Sequence, residues 1–181
     1  LVEPRSATTL TLGASGDTIS IPSGVTIANS GTATGFGEDN APSFSAIPSG
    51  DQSIANATWV KGEFATEQWD VGSNYDTSNH KFVAPADGKY MFRWGFTFDS
   101  AFTSTSDKME TFMHINGSGY YRGGGGQVWG GTDHSVQRVT GIAVDLSTDD
   151  YVEVFVVQHT GGSENLNGDR CFFQGFVLAG V

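Results

Sequence analysis

The stretch KYMFRWGFTF occupies residues 89–98, and every second position in it is aromatic: Tyr90, Phe92, Trp94, Phe96 and Phe98. A helix would scatter these rings around its circumference. In an extended strand, successive side chains alternate between faces, so all five rings fall on one side. The stretch is therefore expected to be a β-strand with one strongly apolar face, and the fold must supply a second layer to cover it.

The surrounding sequence offers more strands. Candidates are 109–116 (METFMHIN), 138–146 (RVTGIAVDL), 151–158 (YVEVFVVQ) and 171–178 (CFFQGFVL). Thr140, Ile142, Val144 and Leu146 share one face of their segment. In 151–158, Val152, Val154 and Val156 take one face while Phe155 and Val157 take the other. A strand apolar on both faces is expected at the centre of a packed oligomer. Phe173 and Phe176 join the aromatic strip as candidates for the core or for contacts between copies. Asp87-Gly88, Asn116-Gly117 and Asn167-Gly168 are turn dipeptides, because Asn, Asp and Gly tolerate positive φ. No helical stripe of useful length is present. The pattern predicts an all-β protein, a jelly roll or sandwich with the 89–98 rings between two sheets.

Composition agrees. The 181 residues suffice for one sizeable core. Charged residues are 16% of the chain, 25 residues are Gly, and the net charge is -11. Such a charge disfavours the nucleic-acid backbone and anionic membranes, and no apolar run reaches the length of a membrane span. The single cysteine, Cys171, excludes an internal disulfide and reads as a small buried residue. Position 1 is Leu, and no basic leader with an apolar stretch follows, so the chain is expected to be a fragment or processed product of something longer.

The first forty residues differ from the rest. They contain no aromatic before Phe36, and they show short alternations at Leu10 and Leu12, Ile19 and Ile21, and Val25 and Ile27. Strands of three to five residues cannot fold alone. Residues 1–40 are expected to be a β-rich shaft, in which several chains complete each other's core, or a linker. Residues 41–181 are expected to be the head domain.

Several blocks of the head resemble the complement C1q family. The segment TEQWDVGSNYDTSNHKFVAPADGKYMF, residues 66–92, carries Asn74, Tyr75 and Asp76, then Lys81, Phe82, Ala84, Pro85, Gly88, Tyr90 and Phe92, in the order of that family's signature. PSFSA at 42–46 is similar to its first strand and FFQGFVL at 172–178 to its last. LSTDDYVEV at 146–154 is similar to its Leu-x-x-Gly-Asp-x-Val strand, with Asp149 where the family has Gly. The resemblance implies a ten-strand jelly roll forming a homotrimer, as in the tumour-necrosis-factor relatives, and a binding head rather than a catalyst. LTLGASGDTISIPSGVTIANSGTATGFG also resembles segments of marine bacteriophage tail fibres. No Gly-X-Y period exists, so the stalk is not collagen.

No catalytic template fits. His80, His114, His134 and His159 have no HExxH or His-x-His spacing, no G-x-S-x-G elbow occurs, and GGGG at 123–126 lacks the Lys-Ser/Thr of a phosphate loop and reads as a mobile loop. Acidic pairs such as Asp149 with Asp150, or Asp107 with Glu110, read as solvated turn residues. No cofactor or metal set is named by the sequence, although a structural Ca²⁺ is compatible with the family and with the abundance of oxygen ligands. The binding candidates are Tyr120, Tyr121, Arg122 and Trp129, in the Gly-rich segment GSGYYRGGGGQVWGG at 117–131. The function expected is a non-enzymatic trimeric head of a tail fibre or similar virion appendage. It would contact a host cell-surface glycan or protein without entering a membrane. The alternative is a secreted, extracellular C1q-like ligand or lectin, for which Asn56-Ala-Thr and Asn116-Gly-Ser would be glycosylation sequons.

Overall fold

In the computed structural model, which describes residues 15–26, 42–104, 106–127 and 134–178, the aromatic stretch lies inside the longest strand of an antiparallel sandwich. The described strands are β1 (Ser43–Ile47), β2 (Gln52–Ile54), β3 (Val60–Lys61), β4 (Thr66–Val71), β5 (Tyr75–Asp76), β6 (Lys81–Val83), β7 (Gly88–Phe102), β8 (Lys108–Ile115), β9 (Ser118–Gln127), β10 (His134–Leu146), β11 (Tyr151–His159), β12 (Glu164–Leu166) and β13 (Phe172–Val177). One sheet runs β2-β12-β7-β13-β1-β4, with β10 on the free side of β7; the other runs β5-β6-β11-β8-β9, with β3 also paired to β11. This is the expected jelly-roll sandwich.

The period of two does what it promised. Phe92, Trp94, Phe96 and Phe98 are fully buried, as is Tyr90 but for 1% of its surface, and the alternation extends to Phe102. The opposite layer supplies Val152, Val154 and Val156 of β11 and Met109 and Met113 of β8, all buried. Rings from the two layers interlock. Phe44 stacks on Tyr75 at 4.7 Å and on Phe82 at 5.3 Å, and Phe173 meets Phe44 edge-on at 5.0 Å. Gly175 makes this cluster possible: a Cβ there would lie 2.6 Å from the Phe92 ring and 2.7 Å from the Phe44 ring.

The signature residues are structural. The Tyr75 hydroxyl donates to the Phe64 carbonyl at 2.9 Å and the Tyr90 hydroxyl to Ala86 at 2.7 Å. The Asp76 carboxylate caps the next turn through the backbone N–H groups of Ser78 and Asn79. Asp149 takes φ +70, the left-handed conformation for which a glycine is suited, so an Asp at this position carries backbone strain.

Four expectations need correction or narrowing. Of the two roles open to Phe176, the core is excluded, because the ring is 42% exposed, and contact between copies is left. Phe176 lies three positions from buried Phe173, and an odd separation puts two strand residues on opposite faces. The second apolar face of β11 does not require a partner chain. Val157 is buried by the chain's own rings, because Trp59, on the β3 side of β11, reaches across that strand to Phe112 on β8, with ring centroids 5.5 Å apart. The Gly-rich segment is strand, not loop, from Ser118 to Gln127, because β8 offers it a ladder. Among the turn dipeptides, Asn116-Gly117 uses positive φ at both residues, whereas Asn167 has φ -77 and leads into a short 3₁₀ turn.

The chain divides into Leu1–Gly37 and Glu38–Val181 as separate compact units. Within the first, residues 15–26 contain turns at 15–16 and 23–24 and no strand, and Ile19, Ile21 and Val25 are exposed. Among the described residues, the expected strands at these positions are thus not formed; strands this short are not stable alone. Leu10, Leu12 and Ile27 lie outside the described residues.

Candidate binding surfaces

The four residues singled out from sequence are only partly placed. Tyr120 and Tyr121 are exposed on β9, at the edge of the six-stranded sheet. The ladder pairs His114 with Gly119 and Met113 with Tyr121, so Tyr120 is the extra residue of a β-bulge. A second register shift falls between Met109 and Thr111, within the glycine run. Two bulges on an edge strand break the regular row of free N–H and C=O groups and discourage edge pairing with another sheet. Arg122 pairs through its backbone with Phe112. Trp129 lies outside the described residues.

The outer faces of both sheets carry features that the sequence reading missed. On the seven-stranded sheet, Trp69, Val71, Val139 and Phe176 are exposed together on β4, β10 and β13. A shallow cleft of ≈ 240 Å³ lies among Ser43, Phe44, Trp69, Arg93, Gln174 and Phe176. Arg93 sits over the Phe172 ring at 5.2 Å. Parity would have found this face: 69 and 71 alternate on β4, as 172, 174 and 176 do on β13.

On the six-stranded sheet, a row of rings crosses three strands. Trp59 meets Phe112 at 5.5 Å, Phe112 meets His114 edge-on at 5.3 Å, and His114 stacks on Phe155 at 4.1 Å. Beside it, Lys61 Nζ bonds Glu153 Oε1 at 3.0 Å and donates to the Asn79 carbonyl at 2.9 Å. Lys81 lies over the Tyr151 ring at 4.6 Å. Partial burial of the His114 imidazole holds its pKa below the ordinary value, opposed by the nearby Glu153 carboxylate.

Acidic clefts are present but internally bonded. In one of ≈ 370 Å³, the Asp99 carboxylate accepts bonds from Asn167, Ser135 and Arg170, which keep its pKa low. In another of ≈ 370 Å³, Asp150 accepts from Asn116 Nδ2 at 2.6 Å and from the Ser147 N–H at 2.8 Å, with the same effect. Among the described residues no three His, Cys, Asp or Glu side chains gather as a metal set. Cys171 is buried, and burial pushes its thiol up to about 11, so it carries little thiolate at neutral pH. Among the described residues, no helix is long and apolar enough to cross a membrane.

No family model matches the chain, and no curated protein sequence matches it. Solved structures do. The Eiger TNF of S. frugiperda is similar with a TM-score of 0.57 at 13% identity, covering 77% of this chain and 93% of that one. The globular domain of zebrafish complement 1qA is similar with a TM-score of 0.54 at 13% identity, covering 76% and 98%. Murine APRIL is similar with a TM-score of 0.56 at 12% identity, covering 75% and 98%. The head therefore has the C1q/TNF-like jelly-roll fold.

Proposed function

We propose that the chain is a non-enzymatic binding head that works as a homotrimer, at the tip of a phage tail fibre or similar virion appendage, and attaches it to a host cell surface. The observation that carries the reading is the exposed apolar face of the seven-stranded sheet. Trp69 is 51% exposed and Phe176 42%, and they line one cleft on a sheet whose other face is the core. Large rings held at a cleft mark a contact surface. Self-association would bury them and leave the six-stranded sheet and β9 facing outward. The exposed Ile19, Ile21 and Val25 of the N-terminal unit support a shaft whose apolar residues are covered only by sister chains. Three copies of a weak site gain avidity, because later binding events are effectively intramolecular.

Light scattering tests the assembly. The parent should weigh about three times 19.2 kDa, and Trp69→Asp with Phe176→Asp should yield a folded monomer. A parent that stays monomeric at micromolar concentration overturns the trimer. Attachment is tested by adsorption of a Tyr120→Ala, Tyr121→Ala, Arg122→Ala, Trp129→Ala variant that still assembles. Undiminished adsorption removes that segment as the receptor contact.

A further inference from the structure

We propose that the Trp59–Phe112 ring pair on the outer face of the six-stranded sheet, with the Lys61–Glu153 pair beside it, is a seat for one neutral pyranose ring of a glycan. The inference rests on the binding-head reading and names the ligand class and the site within it.

Trp59 is 39% exposed, although its neighbours in the ring row are largely covered. The row holds it in place from below: Phe112 is tilted 39° to the indole, and His114 and Phe155 back Phe112 in turn. An indole face that is already immobilised loses little rotamer freedom on binding. Its π-face is electron-rich, which suits the weakly positive axial C–H groups of a sugar ring. The next layer down is flat, because Gly119 has no side chain: a Cβ there would lie 2.2 Å from the Phe112 ring. The glycine of β9 is what lets Phe112 lie across the sheet and meet Trp59.

Hydrogen-bonding groups stand at the right reach. Lys61 follows Trp59 by two residues, so it leans to the same side about 7 Å along the strand. Its ammonium and the Glu153 carboxylate form a donor–acceptor couple at 3.0 Å, suited to a vicinal pair of hydroxyls. Sites for sugars and small ligands combine aromatic surface with a few such placed polar groups.

Two observations select a neutral glycan over other occupants. Lys61 is matched by Glu153 and Lys108 by Glu110 within the chain, so these groups offer polar atoms and not unpaired charge. The chain as a whole carries -11, which repels polyanions. The platform also has the wrong size for a protein. Four rings are well short of the roughly 20–30 residues that a stable protein interface needs on each side.

The test is calorimetric titration of the assembled protein with soluble cello-, malto-, manno- and galacto-hexaoses, with an oligogalacturonate of equal length as the anionic arm. At least one neutral hexaose should bind. Trp59→Ala should weaken it by about tenfold or more, as loss of a stacking ring does, and Trp59→Tyr should retain most of the affinity. A measurement on the parent guards against a misfolded variant: the bound sugar should shift the Trp59 indole N–H resonance and leave that of buried Trp94 in place. The seat is overturned if no neutral hexaose binds, if only the uronate binds, or if the Trp59 resonance does not move. Light scattering on the same sample separates the two readings. A monomer defeats the trimeric head, whereas a trimer that binds no neutral sugar defeats the seat alone.

Discussion

Replacing Gly175 by Ala adds one methyl at the most crowded point of the sandwich. The new carbon would lie 2.6 and 2.8 Å from two atoms of the Phe92 ring and 2.7 Å from the Phe44 ring. Carbon atoms rest at about 3.5–4.0 Å. Both rings would therefore have to withdraw by close to an ångström, in opposite directions. Neither has room: Phe92 is fully buried against Phe82 at 5.4 Å, and Phe44 is held by Tyr75, Phe82 and Phe173. Overpacking of this kind costs about 1–3 kcal/mol. Gly175 is absent from the positions with positive φ, so backbone strain adds nothing and the whole cost should be steric. Urea unfolding at fixed protein concentration measures it. The decisive comparison is a double-mutant cycle with Phe92→Leu, which replaces the ring by a smaller, branched side chain. Gly175→Ala should then be markedly milder, with a coupling of about 0.5–3 kcal/mol. Equal cost in both backgrounds would refute the ring-contact explanation.

Asp149→Gly should stabilise the head by about 0.5–1 kcal/mol, read as a higher urea midpoint, because it relieves a left-handed non-glycine residue. Acid should weaken the fold in two stages. His114 has a folded pKa below its unfolded 6.5, so the unfolded chain takes the proton first and stability falls as pH drops through and below 6.5; His114→Gln should abolish this stage. Asp76, Asp99 and Asp150 are also held below their unfolded 3.8, so the stability they contribute is present above 3.8 and lost as pH falls beneath it, as thermal melts against pH would record. Cys171 should resist iodoacetamide at pH 8 in the native protein and react once urea unfolds it, since its thiol is buried.

The aromatic strip, the strand order of alternation and the signature residues were legible, because each depends on local periodicity or on a short block. What escaped were features that depend on which strand lies beside which. GYYRGGGGQ has the composition of a loop, and it becomes strand through the ladder that β8 supplies and through the Phe112 ring that needs a glycine beneath it. The two apolar faces of β11 were visible, but not that Trp59 crosses over from β3 to cover one of them. Trp59 stands in ATWVKG with no aromatic neighbour to mark it, and its one signal was the spacing of two to Lys61. Phe176 was left open between core and contact surface, although its odd separation from Phe173 already puts the two rings on opposite faces of the strand.

The pairing of β1 with β13, Ser43 opposite Phe176 and Ala46 opposite Phe173, joins the first and last strands of the head, and β13 also pairs with β7. No partial head can therefore close. During synthesis, the strip from Tyr90 to Phe98 emerges from the ribosome some eighty residues before Phe173 can pack against it. Contacts so distant in sequence make folding slow, and they leave the nascent apolar strip dependent on chaperones or on neighbouring nascent chains until β13 has emerged. A ribosome stalled anywhere before Phe172 would display a sticky sheet edge and no usable head.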